Sequence, residues 1–263
     1  KNKLLEHFKL RDNKTIELLQ KLKAPQEVVD TLFNELKGDY DYQVSKDEPE
    51  DLHLDVDEGY FERLETEIKI MASTVESAIE KSINSLLKQD MDLAKDVIKG
   101  DDVIDKMCGD IEDLCMSILR RQAPLASDLR EIVSCMYVIE ELERIGDYAE
   151  GIAVLTIKIG VRPLPTDLVI IPKMSIKTIE ILRMSTDTFL IKDPKEVNSK
   201  YKTIRKQDDV IDDLNTDVRG RLIQLMKNKP HEIERAAYLL WVAHNLERIA
   251  DRGLNIAERS MQL

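Results

Sequence analysis

The stretch "LERIGDYAEGIA" occupies residues 142–153, and a near copy, "LERIADRGLNIAE", occupies residues 246–258. Both read Leu-Glu-Arg-Ile, then a small residue, then Asp. In each copy the two acids stand four residues apart. A helix therefore places Glu143 beside Asp147, and Glu247 beside Asp251, on one face and about 6 Å apart along the axis. The copies are 104 residues apart, 247 minus 143.

A second matching pair lies upstream of each copy. "KGDDVID" (residues 99–105) recurs as "KQDDVID" (residues 206–212), 107 residues later, 206 minus 99. The difference of three between the two offsets falls in loops around Pro124 and Pro230. A period of this size marks an internal repeat, and each period holds three long helical patterns. In the first repeat, Leu64, Ile68, Met71, Val75 and Ala78 form one stripe from residue 60 onward. Val97, Ile104, Ile111, Cys115 and Ile118 form a second over residues 91–122. Pro124 ends that helix, Ser127 is the expected cap of the third, and the third ends near Gly160. The turn-rich "GVRPLPTD" (residues 160–167) separates the repeats. The pattern then restarts with a helix over about residues 172–191. Asp193, Pro194 and Glu196 mark the start of the next, which carries Val197, Tyr201, Ile204, Ile211, Val218 and Leu222. The last opens near Pro230. The expected fold is all-α: two tandem repeats of an antiparallel three-helix bundle, at 60–160 and 161–263, because three such helices can enclose each other's apolar stripes.

Residues 1–59 stand apart as an N-terminal extension. They read as two short helices followed by an acidic segment with Pro49, either a solvated linker or a short β-hairpin in which Tyr40, Tyr42, Val44 and Leu52, Leu54, Val56 alternate. Helix, helix, hairpin is also a rough winged-helix outline.

Composition supports the helical reading. The 263 residues include 34% charged and only 5% aromatic side chains, with 9 Gly and 8 Pro, whereas strand-rich domains use more aromatics and turn glycines. The net charge of −12 disfavours nucleic acid as a partner and favours cations and basic protein surfaces. No apolar run approaches the ~20 residues of a membrane span, and the N-terminus lacks an apolar signal core. Cys108, Cys115 and Cys135 form no CxxC pair and sit in apolar stripes, which predicts core packing in a reduced, cytoplasmic protein. The chain begins at Lys1 rather than Met, so upstream residues are expected.

Four acid pairs at i, i+4 remain: Asp101 and Asp105, Glu143 and Asp147, Asp208 and Asp212, Glu247 and Asp251. Like charges so spaced cost only about 0.2–0.5 kcal/mol per pair, so position is more telling than repulsion. Asp101 and Asp208 occupy seam positions, between Val97 and Ile104 and between Ile204 and Ile211, where an apolar residue is expected. Leu240 and Leu254 lie on nearly the same face as Glu247 and Asp251. Acids so bracketed should be partly desolvated, and a bound metal would relieve their repulsion. The donors are almost all oxygen, which suits hard cations such as Mg²⁺, Mn²⁺, Ca²⁺ or ferric iron. Asp128 is either a further ligand or a helix starter. Against this stands a plainer reading in which Arg144 and Arg248 neutralise the pairs on a solvated face. His7, His53, His231 and His244 form no cluster, and the equivalent Tyr137 and Trp241 read as packing residues.

With "RRQAPLASDLREIV" (residues 120–133), these motifs in order resemble the PhoU family over about residues 60–263. The resemblance implies two tandem three-helix bundles, each with an acidic patch for a multinuclear metal cluster. Iron is the foremost candidate, with Mn, Mg, Ca or Zn as alternatives. The first patch would use Asp101, Asp105, Glu143 and Asp147, the second Asp208, Asp212, Glu247 and Asp251, with no catalytic residues. The implied role is a non-enzymatic, cytoplasmic negative regulator of phosphate homeostasis. It would contact the ATPase of a phosphate ABC transporter and a phosphate-sensing histidine kinase, with a homodimer also open. A metal-dependent phosphatase or hydrolase, with Arg130, Arg144 and Arg248 as its candidate substrate clamp, and a transcription regulator built on an N-terminal winged helix are the alternatives. The sequence departs from the family in two places. The Asn expected one turn after the first motif is Gly151, though Asn255 keeps it in the second. Asp128, Leu129 and Arg130 have no clean counterpart in the second repeat, so the two patches are expected to differ.

Overall fold

A computed structural model describes residues 58–122, 124, 126–161, 165 and 170–263 of the chain. The two short helices, the linker or hairpin and the winged-helix outline expected of the N-terminal extension lie outside the described residues. The described part consists of helices α1 (Glu58–Lys88), α2 (Met91–Gln122), α3 (Ala126–Ile159), α4 (Ile170–Phe189), α5 (Pro194–Asn228) and α6 (Ile233–Ser260), with a 3₁₀ turn at Pro230–Glu232 before α6.

The ends of these helices follow local chemistry. Gln89, at φ 56°, terminates α1 in the left-handed region, and the Asp90 carboxylate caps α2 by accepting from the Asp92 and Leu93 amides at 3.2 and 3.0 Å. Gly160, at φ 70°, ends α3 and donates its amide to the Thr156 carbonyl; only glycine adopts this φ without strain. Asp193 caps α5 by accepting from the Lys195 amide at 3.0 Å, with Pro194 following, as the sequence predicts. Ser127 does not cap α3: the helix already begins at Ala126, so Ser127 sits in the first turn and its hydroxyl donates to Asp128 Oδ1 at 3.1 Å.

Leu64, Ile68, Met71, Val75 and Ile79 of α1 are all fully buried. The stripe thus continues through Ile79, while Ala78 is only half-buried. α1, α2 and α3 pack on one another, and so do α4, α5 and α6. The architecture is therefore two tandem three-helix bundles, joined by packing of α3 on α6 and of α1 on α4.

The α3–α6 seam is where the repeats meet, and because these helices are equivalent, their contacts come in matched pairs. Glu141 of α3 is only 1% exposed. It accepts from Asn255 Nδ2 at 3.0 Å and pairs with Arg252 Nη1 at 3.4 Å, both on α6. Arg144 of its own helix closes the group at 3.2 Å. At the matched position, Asn245 stands where Glu141 stands and Gly151 where Asn255 stands. Asn245 Nδ2 donates to the Tyr148 carbonyl at 3.4 Å, and a Cβ on Gly151 would lie 2.8 Å from that nitrogen. A side chain at residue 151 would require the Asn245 amide to move. Arg259 completes the seam, its guanidinium 4.0 Å above the Tyr137 ring. Substituting Glu141→Ala removes the carboxylate that Arg252, Asn255 and Arg144 share, leaving Arg144 only its longer contact with Glu140. It should cost about 1–3 kcal/mol of stability, read as a lower urea midpoint with an unchanged slope.

Candidate metal centre

α2 and α3 run antiparallel, which sets Asp101 across from Asp147 and Asp105 across from Glu143. Asp101, Asp105 and Asp147 each bring one carboxylate oxygen to within 4.8 Å of the others. Glu143 flanks them and adds to the field that raises Asp101. Burial, followed by the charges of Asp105, Asp147, Glu150 and Glu143, pushes the Asp101 carboxyl up to about 7. Burial likewise raises Glu143, Asp147 and Glu150, with neighbouring acids adding to it in each case, while the Arg144 charge opposes the rise at Glu143 and Asp147. Among the described residues no Lys or Arg forms an ion pair with any of these five. Arg144, next to Glu143 in sequence, turns to Glu141 at 3.2 Å and Glu140 at 3.9 Å instead. Gly146 lets the two helices close on the site: a Cβ there would meet Ile104 at 3.1 Å and Asp101 Oδ1 at 3.2 Å.

α5 and α6 set Asp208 across from Asp251 and Asp212 across from Glu247 in the same way. Burial, then Asp251, Asp212, Asp209 and Glu247, pushes Asp208 up to about 6. Burial also raises Asp212 and Asp251. Here, however, an arginine lies across the acids. Arg248 donates Nε to Glu247 Oε2 and Nη2 to Glu247 Oε1, both at 3.1 Å, and its Nη1 lies 3.0 Å from Asp251 Oδ2. His244 Nδ1 lies 3.2 Å from Glu247 Oε2.

The eight acids chosen from the sequence thus form two groups of four at equivalent places, but the groups differ. The expectation of desolvation is met at Asp101, Glu143, Asp208, Glu247 and Asp251, which are half-buried; Asp105, Asp147 and Asp212 are exposed. Four residues advance a helix by about 400°, so the second acid of a pair sits some 40° further round; at Asp105, Asp147 and Asp212 this tips it towards water, while Asp251 stays half-buried. Asp128 joins neither group. It lies in the first turn of α3, fifteen residues or about 22 Å along the helix from Glu143. Trp241 is not a packing residue: it is 58% exposed, edge-on to His244 at 5.5 Å. Cys115 and Cys135 are buried as expected, and Cys108 is half-buried.

Two residues were not singled out from the sequence. Glu150 continues the face of Glu143 and Asp147 by a step of three, a signal that was present in "LERIGDYAEGIA". Its counterpart in the second repeat is Leu254. Glu141 gave no signal, because within "EELE" nothing distinguishes the acid that will be buried.

The PhoU domain model matches residues 68–156 and 171–260. The chain belongs to the PhoU family. It is 35% identical over 178 residues to the phosphate-specific transport system accessory protein PhoU homolog of Aquifex aeolicus, covering 68% of this chain and 79% of that one. It is 32% identical over 197 residues to the phosphate-specific transport system accessory protein PhoU of Escherichia coli K12, covering 75% and 80%. The crystal structure of PhoU from Pseudomonas aeruginosa superposes with a TM-score of 0.72 at 28% identity, covering 78% of this chain and 96% of that one. Each PhoU repeat of this chain therefore carries one of the two acid groups on its second and third helices.

The raised Asp101 carboxyl makes the metal-free fold sensitive to pH. Its folded value of about 7 exceeds the ordinary value, so the folded state binds the proton more tightly than the unfolded chain. That contribution to stability is present below about pH 4 and is lost as pH rises through about 7. In chelator, the melting temperature of the wild type should fall across this window more steeply than that of Asp101→Asn. Parallel curves in scanning calorimetry would contradict the assignment.

Proposed function

We propose that this chain is a metal-binding regulatory adaptor of phosphate uptake and phosphate-starvation signalling. Its bundle faces would dock on the ATPase of a phosphate ABC transporter and on a phosphate-sensing histidine kinase. The regulatory half of this reading rests on membership of a family whose relatives are named phosphate-specific transport system accessory proteins. The metal half rests on one observation: the carboxylates of Asp101, Asp105 and Asp147 each bring an oxygen within 4.8 Å of the others, with no cationic side chain among the described residues in an ion pair with them. Converging carboxylates without a counter-charge suit a cation, and an all-oxygen donor set suits a hard one. Iron comes first among the candidates, ahead of Mn, Mg, Ca or Zn. Asp101, Asp105, Glu143 and Asp147 would hold it in the first repeat, and Asp208, Asp212, Glu247 and Asp251 are the corresponding donors in the second.

A bound cation would neutralise acids on two facing helices and so tie α2 to α3. That is a structural and regulatory part rather than a catalytic one. No helix among the described residues is long and apolar enough to cross a membrane, so contact with a transporter would be made from its surface.

Elemental analysis of protein purified without chelator tests the metal half. Asp101→Asn combined with Asp105→Asn should lower the bound metal and reduce the rise in melting temperature on adding metal. Equal metal content and equal melting curves would refute it. The regulatory half is tested separately, by whether the chain restores repression of a phosphate-starvation reporter in a strain lacking its PhoU protein.

A further inference from the structure

The two acid groups stand at equivalent places in the repeats yet carry different counter-charges. We propose that Arg248 acts as a built-in cation that keeps the second carboxylate site closed, so that the two repeats take up metal unequally and the first loads first. This rests on the reading of the acid groups as metal sites.

The argument begins with where each arginine finds its partner. Arg144 and Arg248 occupy the same place in "LERIGD" and "LERIAD". One turn before Arg144 stand Glu140 and Glu141, and the guanidinium turns back to both, at 3.9 and 3.2 Å. One turn before Arg248 stand His244 and Asn245. Asn245 offers no charge and donates to the Tyr148 carbonyl. Arg248 therefore turns forward onto the acids of its own site, making charge-assisted contacts at 3.0–3.1 Å to both Glu247 and Asp251. Both oxygens of Glu247 and one of Asp251 are thereby committed to an arginine fork, the strongest kind of side-chain partner for a carboxylate. A metal ion entering the second site must displace that fork, whereas one entering the first displaces no cation ion-paired to its acids among the described residues.

Three further differences act in the same direction. The first site has a fifth acid, Glu150, close enough to raise Asp101, where the second repeat has Leu254. Gly146 leaves room for the Asp101 carboxylate, where the second repeat has Ala250. Among the described residues, the ligand atoms gather within 4.8 Å at Asp101, Asp105 and Asp147 and at no comparable trio of the second site. Arg248 thus determines which site accepts a cation, acting through the ligands it occupies.

The test is a calorimetric titration of the chelator-stripped full chain with Mn²⁺. The wild type should show one tight class, removed by Asp101→Asn with Asp105→Asn, and one at least about tenfold weaker, removed by Asp208→Asn with Asp212→Asn. Arg248→Gln should tighten the weak class by about tenfold or more and leave the tight class unchanged. Arg248→Lys, which keeps the charge but not the fork, should fall between them. Arg248 is partly exposed, and circular dichroism establishes that each variant is folded. Equal affinities at the two sites of the wild type, or an unchanged weak class in both Arg248 variants, would overturn the role of Arg248 while leaving the metal reading intact. Absence of Mn²⁺ binding to the wild type and both variants would overturn both.

Discussion

A carboxylate taken out of water needs a counter-charge, and the buried Glu141 draws its own from two directions. It binds Arg252 and Asn255 of α6, which locks the second repeat onto the first, and it binds Arg144 of its own helix. The pairing with Arg144 reaches beyond the seam. An arginine held by Glu141 is not available to Glu143 and Asp147, so the acids of the first site are left facing one another across α2 and α3. Arg144 thus acts on Glu143 and Asp147 only at a distance, its direct ion pairs being with Glu141 and Glu140.

The second repeat shows the same chain pattern without that demand. Asn245 replaces Glu141 and needs hydrogen bonds but no cation. Arg248 consequently settles on Glu247 and Asp251. The two repeats share topology, helix register and the positions of their acid pairs, yet where a carboxylate at their interface is exchanged for an amide, the motif arginine lies on different partners. Gly151 belongs to the same exchange: the amide of Asn245 fills the space that a side chain at residue 151 would otherwise occupy.

Much of this was legible in the chain. Local signals, acting within a turn or two, set the helix ends: Asp193 followed by Pro194 started α5 where expected, and Gly160 closed α3. The i, i+4 acid pairs and the 104- and 107-residue offsets placed eight carboxylates in two equivalent groups, which the fold assembled. Glu150, a step of three beyond Asp147 on the same face, was legible there too but was not among those eight. Less legible were exposure and orientation. Trp241 and Tyr137 occupy equivalent positions, but Arg259 covers Tyr137, whereas Trp241 stands largely in water. The positions 101 and 105 differ by only about 40° around a helix, too little for periodicity to tell half-buried from exposed.

By itself, then, the sequence determined the all-helical fold, the twofold repeat and the candidate donor positions. These depend on periodicity and on chemistry between residues close along the chain. Only the tertiary structure decided which acids face which, that Glu141 is buried between repeats, and that Arg144 and Arg248 turn in opposite directions. A guanidinium on a long flexible side chain reaches acids a turn before or after it with similar ease. Which it takes depends on the burial of its partners, and burial is a property of the packed helices.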